Sequence, residues 1–166
     1  MPENKDAVAL LKADHDEAQK LFEQFEKASG DGRKEKLARE ICKELTIHAM
    51  IEEEIFYPAC EGKVEEDLLK ESYVEHDAAK VLIAEIDAGE PSDEFYDAKV
   101  KVLKEEIEHH IKEEERRMEG LFAQAKKAGL DMDALGEELA VRKEELKAEI
   151  DANGLPTPQL KTVESV

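Results

Sequence analysis

A chain of 166 residues suits one domain with a sizeable core. With 24 Lys and Arg against 43 Asp and Glu, its formal charge is -19, which argues against nucleic acid or an anionic membrane as a partner and is compatible with cation recruitment. No apolar run approaches the roughly 20 residues needed to span a bilayer, and Met1-Pro2-Glu3-Asn4-Lys5 lacks a signal peptide's hydrophobic segment, so a cytoplasmic location is the default expectation.

Helix-favouring composition, with Pro confined to positions 2, 58, 91, 156 and 158, leaves long stretches for a 3.6-residue period. The first apolar seam runs Val8, Leu11, His15, Ala18, Phe22, Phe25, and the turn Ser29-Gly30-Asp31-Gly32 follows it. The second runs Leu37, Ile41, Leu45, His48, Glu52, Ile55. After Gly62 the third runs Leu69, Tyr73, His76, Ala79, Ile83, Ile86 and ends at Gly89-Glu90-Pro91-Ser92. The fourth reads Tyr96, Val100, Leu103, Ile107, His110, Glu114, Met118, Leu121. Gly129 then reads as a helix stop and Asp131 as the cap of a fifth helix, whose stripe Met132, Leu135, Leu139, Leu146, Ile150 can pack on the bundle or on a second copy, as in a homodimer. The expectation is an all-α, antiparallel up-down four-helix bundle over residues 1–128, a C-terminal helix over 129–154 and a flexible tail over 155–166.

The seams carry polar residues at one level. Each turn lies nearly midway between a pair of histidines: the first between His15 and His48, Gly62 between His48 and His76, the third between His76 and His110. Short connections reverse the chain, so the four imidazoles meet in one layer of the bundle. On the second and fourth helices the pattern is His-x-x-x-Glu, which puts a ring and a carboxylate on one face, one turn of about 5.4 Å apart. A bundle core has low dielectric, and two ionised carboxylates there, Glu52 and Glu114, call for positive charge between them. The neighbours Glu53, Glu54, Glu113 and Glu115 turn away by about 100° per residue and read as solvated surface, and Phe22, Phe25, Phe56, Tyr57 and Phe122 read as packing. An internal repeat relates His15-Asp16 to His76-Asp77, His48 to His110 and Glu52 to Glu114, which gives a site of pseudo-twofold symmetry suited to a pair of metals.

Cys42 and Cys60 bracket most of the second helix, roughly 27 Å apart along its axis, far beyond disulfide reach, and read as free thiols remote from the histidine level. No phosphate-binding glycine loop, Ser-His-Asp arrangement or paired-Cys zinc motif accompanies them.

His15 with Asp16, His48-Ala-Met-Ile-Glu52-Glu53 running on to Ile55-Phe56-Tyr57-Pro58, His76 with Asp77, and His110-Ile-Lys-Glu113-Glu114-Glu115 together resemble the hemerythrin-like superfamily, or HHE cation-binding domain, over about residues 5 to 125. The resemblance implies a non-haem di-iron centre in which His15, His48, His76 and His110 are terminal ligands and Glu52 and Glu114 bridge the metals; manganese or a mixed pair stays open. Oxygen carriers of that family have a further histidine one turn before the third-helix ligand. Here that position is Ser72, which leaves one metal with an open position, a water, or an oxygen from Tyr73, Glu71 or Glu75. His109, about 100° round the helix from His110, is the weaker ligand candidate. Three functions are implied: binding of dioxygen or nitric oxide, a metal-dependent oxidoreductase such as one removing peroxide, and an iron store or an iron or oxygen sensor acting through metal-coupled folding.

Overall fold

The computed structural model describes residues 5–163. Its helices are α1 (Ala7–Lys27), α2 (Asp31–Ile51), a π-helical turn (Glu52–Phe56) that continues into α3 (Tyr57–Cys60), α4 (Glu66–Ala88), α5 (Tyr96–Glu115), α6 (Leu121–Lys127) and α7 (Met132–Asn153). Among the described residues there is no strand. Asp6 starts α1 by accepting from the Ala9 amide at 2.8 Å, and Asp131 starts α7 by accepting from Ala134 at 3.0 Å, each satisfying a donor that the first helical turn leaves free.

The four long helices α1, α2, α4 and α5 form the up-down bundle expected from the seams: α1 packs on α2 and α5, and α4 on α2 and α5. Its core is two apolar clusters, one around Leu11, Ile51, Phe56 and Phe122, the other around Phe22, Ile41, Ile83 and Leu103. Among the described residues, most of the buried charged and polar side chains lie between them. Two hydrophobic layers thus sandwich a polar one at the level of the histidines.

The fourth seam breaks earlier than its periodicity suggests. Helix α5 ends at Glu115, and Met118, expected inside, is 82% exposed with φ of 72°. The chain turns sharply enough there that a Cβ at Gly120 would sit 2.5 Å from the Arg116 carbonyl oxygen, so only glycine fits. Leu121 and Phe122 then re-enter the core on the separate helix α6.

Helix α7 lays Leu139, Leu146 and Ile150 on α1 and α2, so its stripe is buried within the chain. Gly136 sits against the backbone of Lys5, Asp6 and Ala7, an approach that a side chain there would block. Beyond Gly154, residues 155–163 carry no helix. They cross the bundle and are tied to α4, where Asp77 accepts from the amides of Lys161 at 3.0 Å and Thr162 at 2.8 Å. Residues 1–4 and 164–166, parts of the expected bundle and tail, lie outside the described residues.

Candidate metal centre

Six side chains singled out by spacing come together. His15, His48, His76, His110, Glu52 and Glu114 are all buried, and both glutamates are wholly shielded from solvent. The rings form two pairs: the centroids of His15 and His48 are 4.9 Å apart, those of His76 and His110 4.7 Å. The carboxylates tie the pairs together. Glu52 Oε1 lies 2.9 Å from His48 Nε2 and 3.2 Å from His76 Nε2, while Glu114 Oε1 lies 3.1 Å from His15 Nε2 and 3.2 Å from His110 Nε2. Two sets of potential ligand atoms result, His15 with His48 and Glu114, and Glu52 with His76 and His110, each with its atoms within 4.8 Å of one another.

The outer nitrogens explain how the inner ones are aimed. Nδ1 of every one of the four histidines meets a carboxylate: His15 meets Glu115 at 2.6 Å, His48 meets Asp14 at 3.0 Å, His76 meets Glu53 at 2.8 Å and His110 meets Glu75 at 3.2 Å. A proton held on Nδ1 by a carboxylate leaves the Nε2 lone pair facing inward, the arrangement by which proteins orient metal-binding imidazoles. The acids are themselves held. Lys143 of α7 reaches Asp14, and Lys80 donates to Glu53 at 2.9 Å, while Arg142 of α7 grips Glu54 at 2.8 Å beside the π turn.

The inward atoms are close yet unsatisfied. His15 Nε2, His48 Nε2, both oxygens of Glu52 and Glu114 Oε1 are buried without a hydrogen-bond partner among the described residues. Proximity without hydrogen-bond geometry is what lone pairs converging on a common point produce. Buried polar groups left so are costly, and a mixed set of imidazoles and carboxylates fits divalent iron, manganese or zinc. The residues present therefore fit bound metal.

Without metal, protons take its place. Burial would lower the pKa of His48, but the charge of Glu52 and the bond from Asp14 carry it up to about 10. Burial likewise opposes charge on His15 and His110, and carboxylates overcome it: Glu114 and Glu115 raise the first, and Glu114, Glu52 and Glu75 raise the second well above the ordinary histidine range. For Glu52, burial pushes upward but the adjacent His48 imidazolium holds it well below the usual carboxylate range.

Three groups read from sequence as packing or surface belong to the site. Tyr57, expected as packing, points its hydroxyl into the ring, donating to Glu114 Oε2 at 2.9 Å and lying 3.1 Å from His76 Nε2 and 3.2 Å from His110 Nε2. Burial and the charges of Glu114 and Glu52 push its pKa well above the ordinary tyrosine value, so Oη keeps its proton. Glu53 and Glu115, expected to be solvated, bind the histidines from behind. Tyr73 instead packs edge-on against the Tyr57 ring with centroids 5.2 Å apart, Glu71 is exposed, and Glu75 reaches the outer nitrogen of His110 and, at 3.5 Å, His109. His109 points outward, its side chain 67% exposed. Ser72, buried, bonds back to the Leu68 carbonyl at 3.1 Å.

Comparison with known proteins agrees with this geometry. A family model described as the hemerythrin HHE cation binding domain matches residues 6–122. The crystal structure of a hemerythrin HHE cation binding domain-containing protein from Mycobacterium kansasii superposes with a TM-score of 0.75 over 91% of this chain and 95% of that one, at 24% identity, a likeness of fold. A DNA nickase from Nostoc sp. (strain PCC 7120) is 28% identical over 106 residues, 64% of this chain, which spans 30% of that relative's length.

Proposed function

The chain belongs to the hemerythrin HHE cation-binding domain family, and from that premise we propose that it holds two non-haem iron ions and reacts with or binds dioxygen, nitric oxide or peroxide. His15 and His48 with Glu114 would hold one ion, and His76 and His110 with Glu52 the other, each glutamate reaching across to the neighbouring pair. The observation that carries this reading is the set of four Nδ1–carboxylate bonds, which turns every Nε2 inward onto buried carboxylate oxygens that have no hydrogen-bond partner among the described residues. Iron is favoured over zinc because structural zinc usually draws on cysteine, and neither Cys42 nor Cys60 joins the two groups of potential ligand atoms; both thiols are buried and pushed up to about 12. Bound iron would supply the electron exchange that small oxygen and nitrogen species require.

The chain's own residues do the rest. Glu52 and Glu114 neutralise the cations. Asp14, Glu53, Glu75 and Glu115 fix ring orientation, and apolar clusters pack above and below the polar layer. Tyr57 holds a proton at Oη inside the ring, within reach of a molecule arriving beside His76 and His110. No described helix is long and apolar enough to cross a membrane, and we place the protein in the cytoplasm, where two free thiols stay reduced. A second reading, an iron store or sensor, is favoured by the same polar layer: emptying it leaves charge in the core, so folding and metal content are coupled.

The test is anaerobic reduction of the iron-loaded protein followed by dioxygen, nitric oxide or peroxide, watched by visible absorption. A band that appears with the gas and leaves on its removal supports binding, and oxygen evolved from peroxide supports catalysis. An absorption spectrum indifferent to all three would leave the store or sensor.

A further inference from the structure

A cavity of about 480 Å³ opens from the histidine layer toward the surface between α2, α4 and α5, and the segment from Leu155 to Lys161 forms part of its wall. All four histidines are among the residues that line it. The rest is largely apolar: Leu45, Ala79, Ile83, Ile107, Ile111 and Leu155 face it. Its size exceeds what the proposed reaction needs, since a molecule of water fills about 30 Å³ of liquid and diatomic gases are of the same order. Cavities of this volume are typical of sites for small organic ligands.

The covering segment is fastened in place. Asp77 accepts from the amides of Lys161 and Thr162 and from Thr162 Oγ1 at 2.6 Å, and Lys80 donates to the Gln159 carbonyl at 2.9 Å while also holding Glu53, the partner of His76. Leu155, alone among the described half-buried residues, packs against both core clusters. The segment therefore forms a roof whose fastenings stand within one helical turn of His76.

Charge decides the kind of occupant. Glu44, Glu54 and Asp87 stand around the cavity with Asp14 and Glu53 deeper in; the lysines among its lining residues are Lys80 and Lys161, and its four histidines are each already paired with a carboxylate through Nδ1. Lys80 is committed to Glu53 and Asp77. An anion would meet a surplus of carboxylates, while an uncharged molecule would meet apolar side chains.

We infer that this cavity binds an uncharged, mainly apolar organic molecule of roughly ten to fifteen heavy atoms, seated between the histidine layer and the roof formed by residues 155–161. It rests on the metal-centre reading only in placing a metal beside that molecule.

The probe is 1-aminoanthracene, titrated into the full-length protein with emission as the readout. The expected result is one saturable site per chain with a blue-shifted band, weakened at least tenfold in Ala84→Phe and in Ile107→Trp, two fillings from different helices whose folding is checked by circular dichroism. The anionic 8-anilinonaphthalene-1-sulfonate should bind at least tenfold more weakly than 1-aminoanthracene. No saturable binding to the unaltered protein overturns the inference, as does equal binding by a folded filled variant or by the sulfonate. Metal content measured on the same samples separates the two readings: probe binding without retained metal sinks the metal centre and keeps the cavity, and retained metal without probe binding does the reverse.

Discussion

Replacing Tyr57 by Phe removes one oxygen from the centre of the ring and little else. The aromatic ring keeps its neighbours, with centroids 5.2 Å from Tyr73, 5.2 Å from His76 and 6.3 Å from Phe56, so no cavity opens. What is lost is the 2.9 Å bond to Glu114 Oε2. Glu114 Oε1 keeps its contacts with His15 Nε2 at 3.1 Å and His110 Nε2 at 3.2 Å, but Oε2 would lose the hydrogen bond that Tyr57 gives it. A hydrogen bond to a charged group contributes about 1.5–3 kcal/mol, and stranding a wholly buried acceptor puts Tyr57→Phe toward the upper end of that range. For a chain of this size 1 kcal/mol shifts the melting temperature by about 2–4 °C, so a drop of about 3–12 °C is expected. The assay is urea unfolding of the metal-free protein followed by far-ultraviolet circular dichroism, with an unchanged slope showing that compactness is preserved. A loss below about 0.5 kcal/mol would place the hydroxyl outside the network and refute the reasoning.

Two further outcomes follow from the carboxylates. Glu53→Gln and Glu115→Gln should each weaken metal affinity by roughly 10–100-fold in competition with a chelator, because they loosen His76 and His15 without removing a candidate ligand; unchanged affinity would show that the outer bonds are incidental. The metal-free protein should lose stability as the solution becomes alkaline. His48 titrates at about 10 in the fold against 6.5 ordinarily, so its contribution is fully present below 6.5 and is lost as pH rises toward 10. Glu52, held low, acts in the opposite direction: its contribution is present above its ordinary 4.5 and fades as pH falls. Denaturation midpoints should therefore peak on the weakly acid side of neutrality, and a midpoint that climbs steadily to pH 10 would contradict the pairing.

The histidine layer was legible because helix period and turn position are local properties: seams fix which face is inward, and near-equal distances to a turn fix height. Tyr57 and Glu53 were not legible, because counting 100° per residue assumes an unbroken α-helix. The π-helical turn at Glu52–Phe56 inserts extra backbone into one turn, so that Glu52, Glu53, Phe56 and Tyr57 are all buried where an α-helix would have sent some outward. Three consecutive glutamates in an otherwise apolar seam are the one sequence feature that could have raised the question. Glu115, Asp14 and Glu75 were hidden for another reason: their partners lie on other helices, and no spacing along one helix reports a neighbour across the bundle. The early end of α5 at Glu115 followed from Gly120 and its close backbone contact rather than from any break in hydrophobicity.

Metal content decides the central claim. Protein loaded anaerobically with ferrous iron, freed of excess and analysed by plasma mass spectrometry should retain close to two ions per chain, the doubly substituted Glu52→Ala/Glu114→Ala should retain none, and His109→Ala should match the unaltered protein. Retention of no metal by the unaltered chain, or full retention by the chain lacking both glutamates, would contradict it.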